Sequence, residues 1–158
     1  MSLNAAENAT PEELRIAKEC APTKEGFVRL RINVVGAVAP VRGDFFSLII
    51  PYADTEVFQV FINQLAEYTK HSTKRTVLVL DNASWHRAAS LNWHHIEPKY
   101  LPPYSPDLNP IEVLWLCLKQ RYFTSWYAPT IEALIQRTTE ALCSFIADAP
   151  TVSSITSF

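Results

Sequence analysis

Two acidic residues, Asp81 and Glu112, stand where carboxylates could hold a metal ion. Asp81 directly follows a short apolar run, Val77–Leu80, and Glu112 follows a proline-rich stretch, Pro102–Pro110. Such a run is typical of a strand buried on both faces, and ligands bind beyond the carboxyl ends of these strands. Magnesium and manganese prefer oxygen ligands. The sequence therefore predicts a divalent-cation site shared by the two acids.

Both acids also have a purely structural interpretation. Asp81 could cap a short helix that begins at Ala83, a role compatible with metal binding. Asn109 and Glu112 have the spacing of a capping box, in which the Glu112 side chain reaches back to the Asn109 amide. From residue types alone, the capping box is the better interpretation of Glu112.

The elements that would position the acids alternate between strands and helices. Phe27–Ala39 and Phe45–Ile50 predict a β-hairpin, and Val77–Leu80 a buried strand. Ile96–Leu101 predicts a strand that its proline confines to a sheet edge. Capping residues and apolar residues at helical spacing predict helices over 10–20, 54–69, 83–92, 110–122 and 130–147. The Ser/Thr-rich residues after Pro150 predict a frayed tail. This order indicates an α/β fold with a mixed sheet.

Three motifs together are similar to the DDE transposase domain of the IS630/Tc1/mariner superfamily. They are DNASWH at 81–86, LPPYSPDLNPIE at 101–112, and Trp115 with Lys119. The similarity is strong over roughly 75–125 and collinear from about 27 to 70. No similarity is expected before residue 27.

The resemblance implies an RNase H-like mixed sheet with flanking helices, and metal-dependent cleavage and transfer of DNA strands. Asp81 and Glu112 match the second and third acids of the family's triad, so metal ligation becomes the favoured role of Glu112. The implied cofactor is Mg²⁺ or Mn²⁺, and the implied partner is DNA. Asn82 and His86 match positions beside the second acid, where they could contact DNA, support the metal ligands or simply pack the loop. Lys119 could meet a phosphate or be an ordinary exposed lysine.

The family's first catalytic aspartate has no counterpart in this sequence. Residues 1–43 contain no aspartate, the upstream glutamates fall in a helix or linker, and Asp44 and Asp54 do not match the family position. The sequence therefore predicts a domain that lacks its first strand and first acid, and an isolated chain with weak or absent nuclease activity. The alternative is a non-catalytic remnant that binds DNA or oligomerises. An unrelated phosphatase-like enzyme using Asp81 would need lysine and threonine at successive strand ends, and these are not found.

The absent strand has a consequence for the sheet. In the RNase H-like fold it lies between the hairpin and Val77–Leu80, so its loss would leave two unpaired edges. The hairpin could close directly onto Val77–Leu80, residues 1–26 could fill the gap, or two chains could pair through their edges. The last solution, a homodimer, is the favoured prediction.

Length and composition place these features in one domain, since 158 residues suffice for a sizeable core. The predicted organisation is an N-terminal segment over 1–26, the DDE domain over 27–150 and a tail over 151–158. The net charge of −2 does not point to nucleic acid, so DNA binding rests on the motifs. Cys20, Cys117 and Cys143 are widely spaced and are expected to be reduced core thiols of a cytoplasmic protein. No apolar run has the length of a membrane span, and no signal-peptide pattern appears.

Two further stretches are interpreted as surface turns. Lys70–Arg75 is basic and could alternatively contact DNA phosphate. Trp93-His94-His95 could alternatively hold a nucleobase or a metal ion.

Overall fold

The computed structural model describes residues 30–103, 105 and 108–157. The elements in chain order are strand β1 (Asn33–Ala39), strand β2 (Asp44–Ile50), helix α1 (Thr55–Thr69), strand β3 (Thr76–Leu80), a 3-10 turn (Ser84–Arg87), strand β4 (Ile96–Tyr100), helix α2 (Pro110–Phe123), helix α3 (Ile131–Ile146) and helix α4 (Ala149–Thr156). The protein is therefore a mixed α/β structure with flanking helices.

The four strands form two separate two-stranded sheets. β1 pairs with β2 in antiparallel register, with Gly36 opposite Ser47. β3 pairs with β4 in parallel, with Leu78 opposite Pro98. Within the described residues no ladder joins β1 to β3, so each of these strands keeps one unpaired edge. Direct closure of the hairpin onto β3, one of the three predicted solutions, does not form. The parallel pairing does confirm that the proline-bearing strand lies at an edge.

The hairpin is covered on both faces, and this places it between two cores. Val34 and Val38 face helices α2, α3 and α4, whereas Val35 and Ala37 face α1, β3 and β4. The first core contains Phe45, Ile111, Leu114, Leu118, Ala141, Leu142, Phe145 and Val152. The second contains Phe58, Phe61, Ile62, Leu65, Ala66, Leu80, Leu91 and Ile96.

Helix α1 forms where the sequence predicts it. The Asp54 carboxylate accepts a hydrogen bond from the Val57 amide at 2.8 Å and caps the first turn. Phe58, Phe61 and Leu65 recur at helical spacing and are buried in the second core. The helix thus covers one face of the hairpin and of β3.

The prediction of a helix over 83–92 is wrong beyond the first turn. Only the four residues of the 3-10 turn are helical, and Ala88 is extended. The Gln59 side chain on α1 donates to the Asn92 carbonyl at 2.9 Å and accepts from the Asn92 amide at 2.7 Å. Leu91 is buried in the second core. Contacts with α1 therefore satisfy backbone groups that a continuing helix would have used.

The frayed tail predicted after Pro150 is also wrong, because these residues belong to helix α4. Asp148 caps the helix by accepting from the Thr151 amide at 3.1 Å. Hydrogen bonds from the Thr151 hydroxyl and backbone hold the pKa of Asp148 below its ordinary value. Val152 and Thr156 are fully buried, and the Thr156 hydroxyl donates to the Val152 carbonyl at 2.8 Å. This bond lets the polar Thr156 occupy a buried position. The buried face of α4 therefore does not appear as a run of apolar residues in the sequence.

Helix α4 packs against the turn that joins β1 to β2. The Ser153 hydroxyl donates to the Val41 carbonyl at 3.3 Å, and the Ser157 hydroxyl donates to the Pro40 carbonyl at 3.2 Å. In the same turn Gly43 is buried and has a positive φ of 70°. The turn and helix α4 are therefore packed together and joined by two hydrogen bonds.

Several sequence predictions lie partly or wholly beyond the described residues. Outside the described residues lie the helix predicted over 10–20, the N-terminal segment over 1–26 and the first residues of the predicted Phe27–Ala39 strand. The observed strand β1 begins at Asn33. Cys143 is exposed rather than in the core, because it lies on the outer face of α3. Among the described helices, none is both long and apolar enough to cross a membrane.

Candidate metal site

Asp81 and Glu112 line one cleft at the carboxyl end of β3. The cleft has a volume of about 190 Å³. Its lining consists of Asp81, Asn82, Leu101, Pro102, Ser105, Asn109 and Glu112. The structure therefore brings together the two acids that the sequence analysis selected.

The cleft lies where the carboxyl end of β3 meets the first turn of α2. The Leu101 amide donates to the Leu80 carbonyl at 2.8 Å, which extends the β3–β4 pairing to the residue before Asp81. On α2, Ile111 and Leu114 are buried in the first core, and this leaves Glu112 on the exposed side of the first turn. Packing of the two elements thus directs both carboxylates to solvent.

The capping interpretations have different outcomes for the two acids. Asp81 Oδ1 accepts from the Ala83 amide at 3.0 Å, so Asp81 stabilises the following turn while its side chain stays 64% exposed. In the described part of the chain, the Asn109 side chain makes no capping bond with α2. The half of the predicted capping box that the Asn109 side chain would supply is therefore absent.

His86 contacts the Asp81 carboxylate directly. Its Nδ1 atom lies 2.6 Å from Asp81 Oδ1. The ring packs against Phe58 of α1, with 4.3 Å between ring centroids, and meets Trp85 edge-on at 5.7 Å. Helix α1 therefore supports Asp81 indirectly, through His86.

Asn82 fastens the strand end to the neighbouring loop. Its Nδ2 donates to the Leu101 carbonyl at 2.5 Å, and its Oδ1 accepts from Arg87 at 3.3 Å. The Arg87 guanidinium in turn lies 5.1 Å from the centre of the Tyr100 ring. Asn82 thus shapes the cleft and holds its two sides together.

Lys119 does not line the cleft. It is exposed on α2, seven residues beyond Glu112, which corresponds to about 10 Å along a helix. Trp115, on the same helix, packs into the first core with its ring 5.7 Å from that of Phe45. Of the third motif, only Lys119 is therefore placed to meet a ligand that extends along α2.

The remaining candidates lie away from the cleft. His94 bonds Asn63 and His95 bonds Thr69, so both hold the β3–β4 connection to α1. Arg75 forms an ion pair with Glu97, and hydrogen bonds from Lys99 and Arg75 lower the pKa of that carboxyl group. Asp44 pairs with Arg42 at 2.6 Å, while Asp54 caps α1. Neither aspartate lines the cleft.

The donor atoms of the cleft suit a hard divalent cation. Asp81, Glu112, Ser105 and Asn109 line it, and each has an oxygen in its side chain; magnesium and manganese favour oxygen ligands. Ser105 and Asn109 were not selected from the sequence, although both stand in the loop between the two acids. Across the described ranges, no group of three His, Cys, Asp or Glu residues is placed to hold a metal ion. The cleft thus has the oxygen chemistry that a divalent cation requires, with two carboxylate residues in its lining.

Comparison with known proteins adds independent information. A family model described as DDE superfamily endonuclease matches residues 11–135. "Uncharacterized protein y4pE/y4sA" of Sinorhizobium fredii (strain NBRC 101917 / NGR234) is 33% identical over 93 residues, which cover 58% of this chain and 68% of that protein. The family match begins at residue 11. The expectation of no similarity before residue 27 is therefore wrong, because the motifs that carry the resemblance are concentrated downstream.

Proposed function

The chain belongs to the DDE superfamily endonucleases, and from this membership we propose that it is a transposase-derived domain for metal-dependent cleavage and transfer of DNA strands. We place it in the IS630/Tc1/mariner superfamily on the motifs at 81–86 and 101–112. The observation that carries the proposal is the convergence of Asp81 and Glu112 on one cleft. The proposed compartment is the cytoplasm, in keeping with cysteines that have no disulfide pattern.

The two acids have the central role in this proposal. Asp81 and Glu112 supply the carboxylate oxygens that hold Mg²⁺ or Mn²⁺. In a two-metal mechanism, one cation bound there would activate a water or 3′-hydroxyl and the other would stabilise the leaving oxygen of the phosphodiester. Hydrolysis breaks one phosphorus–oxygen bond of the DNA backbone and places the water oxygen on phosphorus. The protein must therefore bind the phosphate close to both carboxylates.

The neighbouring polar residues have supporting roles. Asn82 keeps the loop after β4 against the end of β3, because it bonds the Leu101 carbonyl. Lys119 is exposed farther along α2 and is proposed to contact a phosphate of the bound strand. Because the net charge of the chain is −2, attraction of DNA has to come from such local positive charge.

The catalytic triad is proposed to be incomplete. Asp44 and Asp54 are engaged elsewhere, and the described residues place two acids, not three, at the cleft. We propose that the described residues contain neither the first strand nor the first acid of an RNase H-like domain. A second candidate function follows from this observation, namely a non-catalytic remnant that binds DNA or oligomerises.

Binding of Mn²⁺ tests the function proposed for the cleft. The protein is expected to bind Mn²⁺, and Asp81→Asn or Glu112→Gln is expected to weaken that binding roughly tenfold or more, because each removes a charged ligand. Electron paramagnetic resonance of free Mn²⁺ measures the affinity. Asp44→Asn is the matched control, since it neutralises a carboxylate outside the cleft, and it should bind Mn²⁺ like the wild type.

Equal Mn²⁺ binding by the wild type and Asp81→Asn would contradict the metal site and favour the non-catalytic remnant. Cleavage of plasmid DNA in the same samples is expected to be weak or absent, since two acids hold a pair of cations poorly. Robust cleavage that Asp81→Ala abolishes would instead show that another acid completes the site.

We also propose that the chain forms a homodimer through its unpaired strand edges. β1 and β3 each have one edge without a strand partner in the described part of the chain. Val77 and Val79 on β3 are 46% and 47% exposed, so an apolar surface adjoins one of these edges. Unpaired edges with apolar side chains favour association.

Sedimentation velocity at micromolar concentration tests the homodimer. The wild type is expected to sediment as a dimer, and Val79→Lys as a monomer, because a lysine at a strand edge opposes pairing. Val60→Lys is the matched control: Val60 is similarly exposed on α1, away from both edges. A wild type that remains monomeric throughout would rule out edge-to-edge dimerisation.

A further inference from the structure

We propose that His86 is a positioning residue that holds the Asp81 carboxylate by Oδ1 and leaves Oδ2 as the oxygen that binds the cation. This inference rests on the function proposed above, because it assumes that Asp81 is a metal ligand. It assigns His86 one role among contact with DNA, support of a metal ligand and simple loop packing. It also predicts that Asp81 coordinates the cation through a single oxygen.

The hydrogen bonds of Asp81 distinguish its two oxygens. Oδ1 accepts from His86 Nδ1 at 2.6 Å and from the Ala83 amide at 3.0 Å. A carboxylate oxygen has two lone pairs, so these two donors occupy Oδ1. Oδ2 receives no hydrogen bond from the described residues, and the Asp81 side chain is 64% exposed. Oδ2 is therefore the oxygen free to bind a cation.

The surroundings of His86 fix the direction of its ring. The side chain is only 14% exposed, and its ring centroid lies 4.3 Å from that of Phe58, a buried residue of α1. The backbone of His86 is held as well, since its carbonyl accepts from the Tyr100 hydroxyl at 2.8 Å. A ring packed in this way presents little surface to DNA and directs Nδ1 at Asp81.

The bond also fixes the tautomer of His86. An ionised carboxylate can only accept, so Nδ1 must carry the proton in this contact. A donor to one oxygen stops rotation of the carboxylate before the cation arrives, which lowers the entropy lost on binding. Hydrogen bonds that orient metal ligands typically contribute 10–100-fold to metal affinity. Phe58 contributes indirectly, because it packs against the His86 ring that orients Asp81.

Mn²⁺ affinity of position-86 variants tests this assignment. His86→Leu is expected to bind Mn²⁺ about tenfold more weakly than the wild type. His86→Asn is expected to recover most of the affinity, because the asparagine amide can donate from nearly the position of Nδ1. His71→Leu is the matched control, since it removes an exposed histidine outside the cleft. Thermal melting confirms that each variant is folded.

Nitrogen-15 NMR of His86 gives a second measurement that needs no metal. The wild type is expected to show a proton on Nδ1, and Asp81→Ala is expected to lose this preference. If the wild type binds no Mn²⁺ but keeps the Nδ1 proton, the proposed metal site fails while the His86–Asp81 contact stands.

Other outcomes would overturn the positioning role. Equal Mn²⁺ affinity in His86→Leu and the wild type would show that the contact does not orient a metal ligand. Weak binding in both His86→Leu and His86→Asn would point to direct ligation by the imidazole or to packing alone. Loss of DNA binding without loss of Mn²⁺ affinity would assign His86 to DNA contact.

Discussion

Phe61→Ala is expected to lower the free energy of unfolding by about 3–5 kcal/mol, because it removes a large buried ring and leaves a cavity. Phe61 is 1% exposed in the second core. Its ring lies 5.7 Å from Phe46 of the hairpin and 5.9 Å from Phe58, which supports His86. The substitution therefore weakens the packing that joins α1 to both the hairpin and the candidate site.

Urea denaturation followed by circular dichroism measures this loss, and the melting temperature should fall by roughly 6–20 °C in a domain of this size. Val60→Ala is the control, because Val60 is the preceding residue on α1 but is half-exposed. Its effect should stay within about 0.5 kcal/mol. A loss below 1 kcal/mol for Phe61→Ala would mean that the hairpin and α1 do not share a packed core.

Gly43→Ala should destabilise the protein by roughly 2–5 kcal/mol. Its φ of 70° is in the left-handed region, where a side chain costs about 1–2 kcal/mol. A Cβ atom would also overlap the backbone carbonyl of Ala149 in α4, and overpacking of a core typically costs about 1–3 kcal/mol more. The backbone of α4 would have to move away from the turn.

Thermal melting of Gly43→Ala beside Val41→Ala provides the comparison. Val41 stands in the same turn but is 90% exposed, so its truncation should leave the melting temperature nearly unchanged. If Gly43→Ala melts like the wild type, the turn and α4 do not pack together as described.

Sequence patterns predicted the elements whose physical cause is local. Asp54 with its capping bond, followed by apolar residues at helical spacing, predicts α1 almost to the residue. The apolar run before Asp81 predicts β3. Predictions failed where distant contacts decide the structure. Gln59 interrupts the helix predicted after Ala83, and α4 packs against the hairpin turn, where Val41 is 112 positions from Ser153.

The site shows the same division. Asp81 and Glu112 were selectable because each stands at the end of an element and belongs to a family motif. Ser105 and Asn109 were not, because only the folded loop shows that both residues line the cleft. The inward direction of His86 could not be predicted either, since it depends on Phe58, which is 28 positions earlier in the chain. Its motif position alone left three roles open, namely contact with DNA, support of a metal ligand and loop packing.

The packing of helix α4 on the turn between β1 and β2 has a consequence for synthesis on the ribosome. The hairpin is translated before α4, which covers its turn. One face of the nascent hairpin therefore stays uncovered until α4 has been translated and has left the exit tunnel. Apolar surface exposed during synthesis is what chaperones bind, so a chain that ends before α4 should be retained by them rather than fold.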